Sequence, residues 1–144
     1  MFQLFFLFII SGALCGLILA SSIIQLEVKL RFKDKEINSV NAGNFIGVII
    51  AIVATLISLV HMFWVGPGQI PFIGNLLPCL AVLLMAKIML YDAFRAKYPL
   101  KEGQTVSKAE QAFIDIAIKN KVVIGLIGLA LIVLHFFFQG VPLL

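Results

Sequence analysis

The chain has 144 residues, of which 62% are hydrophobic and only 12% are charged. A soluble domain is about half apolar and about one quarter charged, so this composition excludes an ordinary water-soluble surface. The formal net charge of +4 does not indicate a nucleic-acid-binding protein, because every lysine and arginine except Lys87 falls in polar segments between apolar runs. The length predicts a single domain, residues 1–144, with no room for a separate catalytic domain.

Four apolar runs are long enough to cross a bilayer, since a hydrocarbon core of about 30 Å requires about 20 helical residues. The predicted spans are residues 2–24, 44–65, 72–91 and 122–138. They are expected to be helices, because an open strand would leave backbone groups unpaired in lipid. The sequence therefore predicts an all-α integral membrane protein with four transmembrane helices in an up-down bundle.

The charges between the spans predict the orientation. Residues 25–43 and 92–121 carry ten of the eleven basic side chains, whereas residues 66–71 read GPGQIP and carry none. Basic loops stay in the cytoplasm, so both termini are expected outside, most simply in a bacterial inner membrane. Apolar and charged side chains alternate over residues 26–33, which is compatible with either a strand or a helical extension of the first span.

A short amphipathic helix is predicted on the cytoplasmic side, before the fourth span. Ser107 and Glu110 have the spacing of a capping box, and Phe113 and Ile116 share one face of the helix that follows. One straight helix over residues 107–138 would be about 48 Å long. A cytoplasmic protrusion or a bend near Asn120 is therefore expected.

Small residues four apart mark two helix faces. Gly12 and Gly16 lie in the first span, and Gly43 and Gly47 lie at the start of the second. Such spacing lets backbones approach closely, since helices in lipid associate through packing. Packing within the bundle and contact with a partner subunit are both open, and these four glycines are candidate partner contacts.

Lys87 lies inside the third span, about two turns from its cytoplasmic end. An ionisable residue within a span is a functional hypothesis by default. A lysine stem can also extend to the headgroup region. Lys87 is therefore expected to contact a lipid phosphate or an acidic residue of a partner.

Two histidines are the main candidates for chemistry. His61 and His135 each lie about four residues before the outer end of a span, and these two spans run in the same direction. Their depths in the membrane should match, which suits two imidazoles that ligate haem b or border a quinone. The favoured interpretation is that both are structural histidines, in which case no cofactor is expected.

No catalytic or metal-binding motif is present in the sequence. The favoured prediction is a non-enzymatic accessory or scaffold subunit, with membrane lipid and other membrane subunits as partners and no nucleic acid. One alternative is the haem- or quinone-contacting anchor subunit of a redox complex. Another is a small homo-oligomeric transporter or channel, which the lack of a carboxylate in any predicted span disfavours.

Overall fold

All secondary structure in the described part of the chain is helical. The computed structural model describes the backbone of residues 2–31, 40–63, 75–99 and 105–138, and the side chains of residues 3–21, 45–63, 75–99 and 105–138. The five helices in these ranges are α1 (Phe2–Arg31), α2 (Val40–Met62), α3 (Leu76–Lys97), α4 (Lys108–Phe113) and α5 (Lys121–Phe137). The predicted all-α fold is confirmed for this part of the chain.

Three helical segments are long and apolar enough to cross a membrane, namely Gln3–Ser21, Phe45–Met62 and Leu76–Lys97. The fourth predicted crossing corresponds to α5, which has 17 residues and is about 25 Å long. Together with the bent segment before it, α5 meets the same criterion of length and composition, which gives up to four crossings.

The ends of the helices differ from the predicted spans. The first helix continues to Arg31 instead of ending at residue 24, so the helical extension is confirmed there and the strand interpretation is wrong. The second begins at Val40, and the third continues to Lys97 instead of ending at residue 91. An apolar run indicates which residues can lie in the hydrocarbon core. A helix can extend beyond that run, because its ends are set by backbone hydrogen bonds. The uncharged segment GPGQIP and the first residues of the third predicted span lie outside the described residues.

The four long helices alternate in direction. Phe8 near the start of α1 contacts the rings of His61 and His135, near the ends of α2 and α5. One end of the bundle therefore brings together the start of α1 and the ends of α2 and α5. Gly16 packs against Gly125 further along, so α1 and α5 are antiparallel neighbours. Because α3 packs against both α2 and α5, the bundle closes as an up-down arrangement.

Apolar side chains fill the interior of the bundle. Phe8, Val82, Met85 and Ile132 from three different helices are fully buried. Cys15 and Cys79 are also fully buried and carry free thiols, as their apolar surroundings predict. The centre of the bundle is therefore a packed core.

Gly12 and Gly16 lie against other helices of the same chain. A Cβ atom on Gly12 would lie 2.6 Å from Ile132 Cδ1 and 2.8 Å from Val82 Cγ2, and one on Gly16 would lie 3.1 Å from the Gly125 carbonyl oxygen. Of the two possibilities left open for Gly12 and Gly16, these contacts favour packing within the bundle, because α3 and α5 occupy the faces that the two glycines form.

The other glycine pair, on α2, differs. A Cβ atom on Gly47 would lie 3.6 Å from Met89 Cε, an ordinary van der Waals separation that requires no close approach of backbones. Gly43 belongs to α2, but its surroundings lie outside the described side chains. Its role as a partner contact stays a prediction.

The short helix predicted before the fourth span is present as α4. Ser107 is its N-cap, and the Ser107 hydroxyl oxygen accepts a hydrogen bond from the Glu110 backbone N–H at 3.2 Å. This bond satisfies one of the free amide groups that every helix start exposes. The predicted start at Ser107 is confirmed.

A π-helical turn and a bend separate α4 from α5. The Lys119 backbone N–H donates to the Ile114 carbonyl oxygen at 3.0 Å, one residue further than in an α-helix. Extra residues of this kind are a common cause of sharp helix bends. The two segments Lys108–Ile118 and Lys121–Phe137 are bent by 65°, which confirms the bend expected near Asn120.

Candidate functional site at the histidine end of the bundle

His61 and His135 face each other inside the bundle. They lie in the last turns of α2 and α5, and only 3% and 1% of their surfaces are exposed. Their Nε2 atoms are 3.5 Å apart. The equal depth inferred from the sequence is therefore accompanied by a direct contact, which spacing along the chain alone did not predict.

Two phenylalanines from the start of α1 enclose the pair. The Phe8 ring stacks on His61, with ring centroids 4.4 Å apart, and meets His135 edge to face at 5.9 Å. The Phe5 ring lies 5.9 Å from His61 and 5.5 Å from His135. Because these rings stand on α1, the site depends on the packing of three helices.

Asn75, at the start of α3, connects a fourth helix to the site. Its Nδ2 group donates a hydrogen bond to the His61 carbonyl oxygen at 3.1 Å. That carbonyl belongs to the last turn of α2, where carbonyls lack partners within the helix. The bond satisfies one of them and joins the start of α3 to the end of α2. This role of Asn75 is not predictable from the sequence pattern.

The protons of the pair can be counted. A neutral imidazole carries one N–H, so a hydrogen bond between the two Nε2 atoms requires one Nε2–H donor and one ring protonated on Nδ1. Neither Nδ1 atom has a hydrogen-bond partner among the described residues, and the same holds for the hydroxyl of Ser58, one turn earlier on α2. A buried donor without a partner costs about 1–3 kcal/mol. A ligand carbonyl or a water molecule could therefore form hydrogen bonds with the polar atoms of this site that have no described partner.

The geometry also sets conditions for a metal. Two collinear bonds from histidine to a metal, at about 2.0–2.1 Å each, place the nitrogens about 4 Å apart. The observed 3.5 Å is shorter, and the Phe8 ring lies directly on His61. Haem between these imidazoles requires the two rings to separate and Phe8 to move. Among the described residues, no group of three or more metal-binding side chains occurs.

A second polar cluster lies at the opposite end of the bundle, where α4 meets α3. Lys87, Tyr91 and Arg95 are spaced four apart and so share one face of α3. The Lys87 Nζ atom lies 4.5 Å above the ring of Phe113. The Tyr91 hydroxyl donates to Glu110 Oε1 at 2.9 Å, and Arg95 forms an ion pair with the same oxygen.

Two further ion pairs lie at this end. Lys121 Nζ is 2.6 Å from Asp92 Oδ2, which joins the start of α5 to α3. Lys119 pairs with Asp115, and hydrogen bonds from Lys119 and Gln111 hold the pKa of the Asp115 carboxyl below its ordinary value. The sequence pattern singled out Lys87 and assigned Glu110 only to a capping box, and it did not predict the contacts of Glu110 with Tyr91 and Arg95. The four-residue spacing on α3 can be read from the sequence, but the contact of this face with α4 cannot.

The fold and the site define an all-helical protein with three or four long apolar helices and a buried histidine pair at one end. The chain belongs to a protein family that is defined by a domain of unknown function, and the family model matches residues 1–135. The matched region includes α1 to α4 completely and ends at His135 within α5. Neither the curated proteins nor the solved structures provide a match to this chain.

Proposed function

We propose that this chain is an integral membrane protein with four crossings that acts as a non-enzymatic accessory or scaffold subunit of a larger membrane complex. The observation that carries the proposal is the combination of a filled interior with apolar outer faces on all four long helices. A protein of this construction contacts other molecules through its outer surface.

The distribution of side chains supports embedding in lipid. Large apolar side chains are exposed on each long helix, including Leu17 on α1, Leu56 on α2, Leu80 on α3 and Leu126 on α5. A helical bundle in water shows the opposite arrangement, with polar residues outside. Exposed apolar surface on this scale indicates contact with a membrane or with other proteins.

The packed core supports a role that depends on binding at the surface. Phe8, Met85, Ile88 and Ile132 are fully buried, so protein atoms occupy the axis of the bundle. Because Gly12 and Gly16 are used internally, we place the partner surface on the outer face of α2. Phe45, Leu56 and Phe63 are among its most exposed side chains.

The basic segments 25–43 and 92–121 favour an orientation with these segments in the cytoplasm and both termini outside. In this orientation the histidine pair lies toward the outer side and α4 lies at the inner surface. Membrane lipid and other membrane subunits are the proposed partners, and a bacterial inner membrane is the proposed location.

The subunit role is tested by native mass spectrometry of the tagged chain, extracted from its own membranes in a mild detergent. We expect a complex of fixed stoichiometry with a different membrane protein, recovered again when the tag is moved to that protein. Leu56→Trp on the proposed α2 surface should release the partner, whereas Leu126→Trp on the outer face of α5 should not. Recovery of only a monomer contradicts the proposal, and recovery of only a homo-oligomer favours a transporter or channel.

A second candidate function is supported by the histidine pair itself. In this case the chain is the membrane anchor of a redox complex, and His61 and His135 contact haem b or a quinone. The Nδ1–H of one ring has no described partner and favours contact with a quinone, since a buried N–H can donate to a quinone carbonyl. The aromatic rings of Phe5 and Phe8 would border such a ligand.

An absorption spectrum and a solvent extract of the purified protein test this second function. Bound haem gives a Soret band, and bound quinone appears in the extract. Either ligand should be lost in His61→Ala and His135→Ala and kept in Cys15→Ala, a buried substitution two turns away from Phe8 along α1. A colourless preparation without quinone contradicts this function.

A further inference from the structure

An apolar groove runs along the outside of the bundle between α3 and α5. Leu80, Ala81 and Leu84 line it from α3, and Ile124, Ile127 and Gly128 line it from α5. Ala81 and Gly128 are the two smallest of these residues, and the larger side chains beside them form the walls. The groove has a volume of about 240 Å³ and opens to the surroundings of the bundle.

The size of the groove favours a slender occupant. Pockets for drug-sized molecules have volumes of about 300–1,000 Å³, and a helix with its side chains is about 10–12 Å wide. The groove is smaller than such a pocket and has an apolar lining. A single hydrocarbon chain suits a groove of this volume and apolar lining.

A positive charge stands at one end of the groove. Leu77, Leu80, Leu84 and Lys87 follow each other at helical spacing, so Lys87 continues the stripe of α3 that lines the groove. Lys87 is exposed, and its described contact is with the ring of Phe113. The carboxylates of Asp92, Asp115 and Glu110 pair with other cations. The Lys87 ammonium is thus available to an external anion.

The start of α5 adds to the positive potential at this end. Ile124 lines the groove, and α5 begins one turn earlier at Lys121. The first amide groups of a helix carry a partial positive charge that attracts anions. Basic pockets between membrane helices on the cytoplasmic side are known to bind anionic lipid headgroups.

We propose that the α3–α5 groove binds an anionic phospholipid, with one acyl chain against Ala81 and Gly128 and the phosphate at Lys87. The inference rests on the membrane embedding proposed above, and adds a specific ligand to it. The charge of the Lys87 ammonium selects the headgroup, whereas the apolar walls hold the chain irrespective of the headgroup.

The test is native mass spectrometry of the purified full chain with dioleoyl phosphatidylglycerol or dioleoyl phosphatidylcholine added. One lysine near a membrane surface contributes about 1 kcal/mol to the binding of an anionic lipid, which corresponds to about a fivefold preference. We expect this preference in the wild type and its loss in Lys87→Gln. Lys97→Gln is the matched control, because Lys97 is on the same helix but stands over Tyr98, away from the groove.

Two variants test the groove itself. Ala81→Leu fills the groove and should weaken the retention of both lipids alike, and Leu80→Trp does so from the exposed wall if Ala81→Leu does not fold. A preference that survives in Lys87→Gln, or that falls equally in Lys97→Gln, overturns the proposal. If Ala81→Leu changes the subunit composition but leaves lipid retention unaltered, the occupant of the groove is a protein and the lipid proposal is overturned. Alkaline extraction of the membranes separates the membrane embedding from the lipid site. Release of the protein contradicts the embedding, whereas retention of the protein without a lipid preference contradicts only the lipid site.

Discussion

Single glycines set the distance between α1 and α5. A Cβ atom on Gly125 would lie 2.7 Å from Leu19 Cβ, 3.1 Å from the Gly16 carbonyl oxygen and 3.3 Å from the Ala20 nitrogen. Two of these atoms belong to the backbone of α1 and cannot rotate away. The two helices must therefore separate to admit even one methyl group.

The Gly125→Ala substitution should lower the free energy of unfolding by about 1–3 kcal/mol, the usual cost of overpacking. Gly47→Ala is the control, since its new methyl group would meet only the mobile end of Met89 at an ordinary distance. Alanine is the better helix former, so Gly47→Ala should be neutral or stabilise by up to about 1 kcal/mol. Unfolding of both variants in detergent measures the difference, and equal stabilities would refute the tight α1–α5 contact.

At the scale of elements, α4 is attached to the bundle by polar contacts. Glu110 accepts a hydrogen bond from Tyr91 and pairs with Arg95, while Phe113 meets Lys87. A six-residue helix does not persist alone in water. The position of α4 therefore depends on these contacts with α3.

Glu110→Gln should loosen α4, because it removes the charge that pairs with Arg95. The loss of a partly exposed ion pair costs up to about 1 kcal/mol. Amide hydrogen exchange over Lys108–Ile118 should then accelerate, by up to about fivefold. Asp115→Asn is the matched control, since it removes one negative charge from the same segment at an exposed site whose described partners, Gln111 and Lys119, do not belong to α3. Equal acceleration in both variants would show that the α3 contact does not hold α4.

The sequence allowed the start and the bend of this element to be predicted, but not its attachment. Ser107 and Glu110 are three residues apart, so their capping interaction is readable along the chain. Tyr91 and Glu110 are 19 residues apart on different helices, so their contact depends on the position of α4, which a π-helical turn and a 65° bend separate from α5. The apolar pattern of the sequence does not indicate the extra residue that creates the π-helical turn.

At the scale of the molecule, the apolar runs predict much of the helical architecture. The apolar runs locate the four long helices, and their order along the chain leads to the antiparallel bundle. Direction along the helices also places His61 and His135 at one level. The apolar runs do not determine how each helix is rotated about its own axis. The structure was therefore needed to show that the two imidazoles are in contact at 3.5 Å and that Gly12 and Gly16 lie inside the bundle.

The central claim is a bundle with four crossings whose basic segments face the cytoplasm. Cysteines added at position 68, in the uncharged segment between the second and third spans, and at Thr105, an exposed residue before α4, report on opposite sides of the membrane. The native thiols of Cys15 and Cys79 are fully buried, so they contribute little background labelling.

Labelling of intact cells with a membrane-impermeant maleimide is the most direct test. The account predicts that Gly68→Cys reacts in intact cells, whereas Thr105→Cys reacts only after the membrane is permeabilised. Reaction of Thr105→Cys in intact cells, with protection of Gly68→Cys, would contradict the orientation. Reaction of both in intact cells would contradict the crossing by α3 between them.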